Sequence, residues 1–271
     1  MDILTMFSWP FMQRALLAGT LLSLCCALLG VSLVLKRYSM IGDGLSHVSF
    51  GALAVAVALG FTPLYFSIPV VILAAFFLLR MADHPHWNND AAIAAMSASA
   101  LAVGVMVISR TTGMNTDVDH YMFGSVLAMS REDVLLSVLL CAAVLALFIL
   151  FYHKLFAVTF DENFSRATGL KVDRYNTLLA VLTALTIVLG MRMMGAMLIS
   201  SLVIFPALTA MQLFKSFRGV VISAAVTSVG CFFVGLVVSF TASTPVGATV
   251  VCANLTLFLA AFLIKKASRL A

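Results

Sequence analysis

Uncharged apolar runs of about 18 residues or more recur along the sequence, and this length lets a helix cross roughly 30 Å of hydrocarbon. Of the 271 residues, 63% are hydrophobic and only 10% are charged. Since about 25% of the residues in a soluble domain are charged, the sequence indicates an integral membrane protein. A membrane β-barrel would show alternating strands of about ten residues, and no such pattern occurs. The predicted fold class is all-α, a polytopic membrane protein of about eight or nine transmembrane helices.

The apolar runs predict nine spans, which together form a single transmembrane domain over residues 1–271. They are Phe11–Leu35, Ile41–Gly60, Leu64–Arg80, Ala91–Ser109, Val134–Tyr152, Thr177–Gly190, Gly195–Phe214, Val220–Phe240 and Val246–Ile264. The count stays between eight and nine because Thr177–Gly190 is short and because Pro206 can interrupt its helix. No Pro- or Gly-rich linker divides the chain.

The net charge of +5 does not indicate nucleic-acid binding, because the distribution of the basic residues reflects the orientation of the chain in the membrane. With the N-terminus outside, most of the 16 Lys and Arg residues fall on the cytoplasmic side, as the positive-inside rule expects. Four stay outside, namely Arg14, Arg110, Arg131 and Arg192. The expected partners from composition alone are therefore membrane lipids.

Asp43 and His47 lie one helical turn apart within the second predicted span. At about 1.5 Å per residue from Arg37, Asp43 would lie roughly 9 Å and His47 roughly 15 Å into the membrane. An ionisable residue there costs at least about 2.5–3.5 kcal/mol on insertion scales. Residues i and i+4 share a helix face, so a carboxylate and an imidazole are brought together where they can hold a divalent cation. This pair is the predicted metal site.

Other uses of the pair stay open. Asp43 can act as an N-cap of the second span while His47 bonds to a neighbouring helix as a neutral imidazole. The two groups can also relay protons. Two ligands do not complete a zinc site, which prefers four, and self-association of two such faces would supply the other two.

Two connecting segments carry further candidates. In the external segment, Asp117, Asp119 and His120 are a possible second cation contact, or simply a solvated loop. The cytoplasmic segment 153–176 mixes apolar and charged residues, and a short amphipathic helix is expected there, capped by Asp161 and stopped by Gly169. Because the sequence contains no G-x-x-x-x-G-K-[ST] loop, ATP hydrolysis would have to come from a partner that contacts this segment.

Five ordered stretches resemble those of a known family. The run Ser39–His47 is similar to the G-D-x-x-[SA]-H signature of permeases in the zinc/manganese branch of bacterial ABC importers. The other four stretches are 121–128 followed by Glu132-Asp133, Asp161–Val172, Met194–Ala207 and Thr244–Gly247. Together they extend the resemblance from about Phe11 to about Leu263, almost the whole chain.

The resemblance implies a homodimeric permease in the bacterial cytoplasmic (inner) membrane, with no ATPase activity of its own. A separate ATP-binding subunit and an extracytoplasmic metal-binding protein would be its partners, Asp43 and His47 would contact the metal, and Asp161–Val172 would engage the ATPase. The candidate coupling residues are Asp161, Glu162, Phe164, Arg166, Ala167, Gly169 and Leu170.

The expected substrate is Zn²⁺, with Mn²⁺ or Fe²⁺ as the alternative, and no permanently bound cofactor is expected. First-shell ligand type separates these ions poorly, because O/N sites bind them along a graded series. A proton-coupled secondary metal transporter is the alternative from another class, and an internal inverted repeat would support it. An intramembrane acid–base enzyme is disfavoured, since the sequence shows no credible nucleophile or second catalytic motif.

Overall fold

The computed structural model describes residues 8–82, 89–111 and 131–270. In these ranges the chain forms eleven helices and no strand, which confirms the predicted all-α class. The helices are α1 (Pro10–Leu35), α2 (Ile41–Ala58), α3 (Pro63–Ala82), α4 (Asn89–Arg110), α5 (Arg131–Leu150), α6 (Tyr152–Phe160), α7 (Glu162–Ala167), α8 (Val172–Met194), α9 (Ala196–Leu213), α10 (Phe217–Ala242) and α11 (Val246–Leu270).

Each predicted span overlaps one long helix. In the described ranges, seven helices are long and apolar enough to cross a membrane, namely α1, α2, α4, α8, α9, α10 and α11. The bent pair α5–α6 also passes when counted as one span, which gives up to eight. The apolar part of α3, Pro63–Leu78, is shorter than these. The prediction of about eight or nine spans therefore agrees with the described helices at a count of eight.

Two details of the predicted spans are wrong. The span predicted as Thr177–Gly190 is a full helix of 23 residues, because α8 begins at Val172 with a polar turn that the apolar run does not include. The predicted interruption at Pro206 is absent, and α9 continues through this residue. A proline removes only one backbone hydrogen bond, and such a loss is tolerated where the helix is packed in protein, as Pro206 is.

Helices α1, α2 and α8 are mostly covered by other helices, whereas α4 and α11 turn most of their surface outward. Small residues allow the close contacts, as the sequence predicts for the second span. A Cβ built on Gly51 of α2 would lie 2.6 Å from the carbonyl oxygen of Ala100 on α4. The backbones of α2 and α4 are thus in direct contact, which fixes the position of α2.

The segment after α5 turns by 69° at Phe151 into α6. The predicted short helix follows as α7, and both predicted ends are confirmed. Asp161 accepts a hydrogen bond from the backbone N–H of Phe164 (2.9 Å), so it is the N-cap. Gly169, with φ of 84°, ends the helix, and the N–H of Leu170 donates to the carbonyl of Ser165 (3.0 Å).

Candidate metal site and its connection to the cytoplasmic segment

Asp43 lies in the first turn of α2, where it faces α9. The N-cap of α2 is Met40, so the alternative of Asp43 as N-cap is wrong. Ser200 of α9 donates a hydrogen bond from Oγ to Asp43 Oδ1 (3.3 Å), and His47 Nε2 lies 3.7 Å from Asp43 Oδ2. The i,i+4 pairing predicted from the sequence is therefore confirmed, and Ser200 joins it from a second helix.

The sequence offers little sign of Ser200. It lies in the stretch Met194–Ala207 that carries part of the family resemblance, but a serine among small residues in a membrane helix is typical of packing. Only the contact between α2 and α9 shows that its hydroxyl reaches the Asp43 carboxylate. The three side chains together present carboxylate oxygen, imidazole nitrogen and hydroxyl oxygen, which are donors that first-row divalent metals accept.

Helix packing places the pair relative to the end of α1. Gly30 of α1 lies against the backbone of Val203 on α9, and Gly42 lies beside the side chain of the same Val203. Gly30 precedes the end of α1 by five residues, so Asp43 is roughly 8 Å inside that end at about 1.5 Å per residue. His47, one turn further along α2, is roughly 14 Å inside. The depths in the membrane that the sequence predicts stay predictions.

The pair is partly open. The Asp43 side chain is 43% exposed and the His47 side chain 22%, although most of α2 is buried. Met40, the N-cap of α2, and Met197 on α9 are also exposed. The chain therefore leaves one side of the carboxylate–imidazole pair uncovered, on a surface that a passing ion or another protein surface can reach.

No second cluster competes with this pair among the residues that the structure describes. In these ranges, no group of three or more His, Cys, Asp or Glu side chains could hold a metal. The predicted external candidates Asp117, Asp119 and His120 lie outside the described residues.

The candidate coupling residues divide into two groups. Phe164 is 65% exposed, and Arg166 forms an exposed ion pair with Asp173 (2.6 Å). Asp161, Ala167 and Gly169 are also exposed, and Leu170 is partly so. Glu162 differs, because its carboxylate points toward the rest of the protein.

Glu162 is held by Lys36, which directly follows α1. Lys36 Nζ donates to Glu162 Oε1 (2.5 Å) and to Asn176 Oδ1 on α8 (2.6 Å), and Asn176 Nδ2 donates to Glu162 Oε1 (3.2 Å). From the sequence, Lys36 is recognisable only as a basic residue at the end of a span. Its contacts with Glu162 and Asn176 are therefore not predicted.

Comparison with known proteins decides the family. A profile of the ABC 3 transport family matches residues 8–265, nearly the whole chain. The chain belongs to the ABC 3 transport family. The predicted membership among the permeases of metal-type ABC importers is confirmed, and the proton-coupled secondary transporter is no longer supported.

Relatives of this ABC 3 permease are named for different metals. The manganese import system permease protein ScaB of Streptococcus gordonii is 28% identical over 259 residues, covering 96% of this chain and 93% of the relative. The high-affinity zinc uptake system membrane protein ZnuB of Haemophilus influenzae is 29% identical and covers 90% and 94%. A probable iron transport system membrane protein of Haemophilus influenzae is also 29% identical and covers 96% and 92%.

A solved structure supports the fold as well. PsaBC from Streptococcus pneumoniae in complex with Fab contains a chain that superposes on this ABC 3 permease with a TM-score of 0.86. That chain is 27% identical, and the match covers 96% of the permease and 94% of the solved chain. Permeases of this family work with an ATP-binding subunit and a metal-binding protein.

Proposed function

We propose that the chain is the membrane-spanning subunit of an ATP-driven importer that carries Zn²⁺ across the bacterial cytoplasmic membrane. Residues 1–271 act as one permease domain, the metal is cargo, and an ATP-binding subunit supplies the energy. An extracytoplasmic metal-binding protein delivers the ion on the side of the external segment, where Asp117, Asp119 and His120 are available as a further contact.

The observation that carries this proposal is the half-open Asp43–His47 pair with Ser200 beside it. Charged and ionisable groups inside a membrane are costly and usually face a bundle interior or a water-filled path. A transported ion needs ligands that bind it without trapping it, and a partly open set of two strong donors suits that requirement better than a closed cage.

A second copy of the chain completes the site in this proposal. The uncovered side of Asp43 and His47 needs a partner surface at membrane depth, and a homodimer would bring two carboxylates and two imidazoles together. Four mixed oxygen and nitrogen ligands match the tetrahedral preference of zinc, while manganese prefers six-coordinate oxygen-rich sites.

Competition between metals tests the choice of ion. The permease is assembled with its ATP-binding subunit in proteoliposomes, and ATP-dependent accumulation of Zn²⁺ is measured with and without excess Mn²⁺ or Fe²⁺. Zinc should accumulate and should suppress uptake of the other two ions more strongly than they suppress its own. Preferential accumulation of Mn²⁺ in the presence of equal Zn²⁺ would contradict the zinc assignment.

Manganese or ferrous iron is the second candidate substrate. It is supported by the relatives named for manganese and iron, which match this chain as closely as the zinc-named one. The same uptake measurement decides between the candidates, and the rest of the mechanism is unchanged if the cargo is one of these ions.

The exposed residues of α7 form the proposed contact with the ATP-binding subunit. Phe164 is the largest exposed apolar side chain of this helix, and buried aromatic anchors carry much of the binding energy in protein interfaces. Replacing Phe164 with Ala should weaken binding of the ATP-binding subunit by roughly 30-fold, the effect of a loss of about 2 kcal/mol. Titration of the subunit against the permease in nanodiscs measures this change.

Phe77→Ala is the matched control, because it removes the same ring from an exposed position on α3, far from α7 in sequence. It should leave the affinity for the ATP-binding subunit unchanged. Equal affinity for wild type and Phe164→Ala would place the ATPase contact elsewhere.

A further inference from the structure

Lys36 is a buried cation, and it is paired. Its side chain is only 5% exposed, and lysine is almost never fully buried unless a partner balances its charge. Glu162 supplies the opposite charge and Asn176 supplies a second acceptor. Since Asn176 also donates to Glu162, the three side chains form a closed ring of hydrogen bonds. Each member comes from a different element: the α1–α2 turn, α7 and α8.

The turn that carries Lys36 has a well-defined backbone conformation. Arg37 takes the left-handed conformation with φ of 62°, which is uncommon for a residue other than glycine. Its N–H donates to the carbonyl of Val34 (3.1 Å), and the N–H of Tyr38 donates to the carbonyl of Leu33 (2.8 Å). These are the two hydrogen bonds of a Schellman motif, which ends α1.

Helix α2 begins directly after this turn. The N–H of Ile41, the first residue of α2, donates to the carbonyl of Tyr38 (3.0 Å). Asp43 is then reached within the first turn of the helix. A displacement of Lys36 would therefore move the end of α2 that holds Asp43, and with it the contact between Asp43 and Ser200.

At the other side of the ring, Glu162 is the first residue of α7. Asp161 caps this helix directly before Glu162, and exposed Phe164 lies two residues after it. The short helix thus presents Phe164 outward and directs the Glu162 carboxylate, whose side chain is 40% exposed, to Lys36. A protein that binds the outer side of α7 would act on Lys36 through one residue.

We propose that Lys36 is a positioning residue that transmits movement of α7 to the metal site. This inference rests on the proposed function, in which α7 binds the ATP-binding subunit. When that subunit displaces α7, Glu162 moves Lys36, the rigid α1–α2 turn follows, and Asp43 shifts relative to Ser200. The ring is the physical link between ATP hydrolysis and the geometry of the metal ligands.

The number of metal ions transported per ATP hydrolysed tests this role. The permease assembled with its ATP-binding subunit is reconstituted in proteoliposomes, and Zn²⁺ uptake and phosphate release are measured on the same sample. Lys36→Met and Glu162→Gln should each lower the transport ratio by about 10-fold, since residues along a coupling network change it by severalfold to tens of fold. ATP hydrolysis should remain within about twofold of wild type.

Two further variants and one control separate coupling from simple damage. Lys36→Arg keeps the charge and should retain most of the ratio, and the exchanged pair Lys36→Glu with Glu162→Lys should recover part of it. Lys265→Met makes the same exchange at another lysine that links two helices, since Lys265 Nζ on α11 donates to Gln212 Oε1 on α9 (2.8 Å), and it should leave the ratio unchanged. A merely structural role would lower transport and hydrolysis together, and their ratio would then stay constant.

A constant ratio in Lys36→Met and Glu162→Gln would overturn the proposal. If Lys36→Met does not assemble, Asn176→Ala replaces it, because this variant keeps the ion pair and removes only the third member of the ring. It should lower the ratio by a smaller factor, and an unchanged ratio there would also overturn the proposal. Absence of ATP-dependent uptake in wild type would instead contradict the proposed function.

Discussion

Replacing Asp43 with Asn is expected to reduce ATP-dependent metal uptake by at least about 100-fold. Loss of partners that merely orient a metal ligand already costs 10–100-fold in affinity or activity, so loss of a charged ligand should cost no less. His47→Ala should have a similar effect, because it removes the only nitrogen donor of the set. Ser200→Ala should lower uptake much less, since a neutral hydroxyl is a weak ligand and accepts substitution by water.

Asp43→Asn should leave the folded permease intact. The amide keeps the size of the carboxylate and can still accept the hydrogen bond from Ser200. Removal of a charge from the membrane also lowers the insertion cost, which is at least about 2.5–3.5 kcal/mol for an ionised side chain. The amount of protein in the membrane should therefore match or exceed that of wild type, and the lost uptake would reflect the missing ligand.

Asp90→Asn is the matched control. Asp90, like Asp43, is an acidic residue in the first turn of a long apolar helix, α4, but it is exposed and lies at the start of that helix. Uptake by this variant should equal that of wild type. Normal accumulation of metal in Asp43→Asn would show that the carboxylate is not a ligand on the transport path.

The helices were predictable from the sequence because burial in lipid demands long apolar runs, and such runs are local. The same reasoning failed at α8, whose first five residues include Asp173 and Asn176. These polar residues are helical because α7 and Lys36 provide partners for them, and those partners are remote in sequence. An apolar window cannot detect a helix end that is stabilised by tertiary contacts.

The contacts of the metal site also differ in whether the sequence alone could predict them. Asp43 and His47 are paired by helical periodicity, so their sequence spacing was sufficient to bring them together. Ser200 is 157 positions from Asp43, and only the packing of α9 against α2 unites them. Lys36 and Glu162 are separated by 126 positions, and their pairing likewise required the fold.

Gly30→Ala is expected to destabilise the permease substantially. A Cβ built on Gly30 would overlap the backbone carbonyl oxygen of Val203 and would lie 2.9 Å from its carbonyl carbon. A backbone cannot rotate away as a flexible side chain can, so α1 and α9 would have to separate. Overpacking of this kind costs about 1–3 kcal/mol, which corresponds to a decrease of roughly 2–12 °C in the temperature at which the detergent-solubilised protein unfolds.

Gly230→Ala and Gly42→Ala are the controls that isolate the clash. A Cβ on Gly230 of α10 meets nothing within 4 Å, and a helical glycine replaced by alanine gains backbone stability, so this variant should unfold at the same or a higher temperature. A Cβ on Gly42 would lie 3.9 Å from the Val203 side chain, which is ordinary contact. Gly42→Ala should therefore be tolerated even though Gly42 precedes Asp43. If Gly30→Ala unfolds at the wild-type temperature, α1 and α9 are not in backbone contact, and the depth assigned to Asp43 from that contact would be wrong.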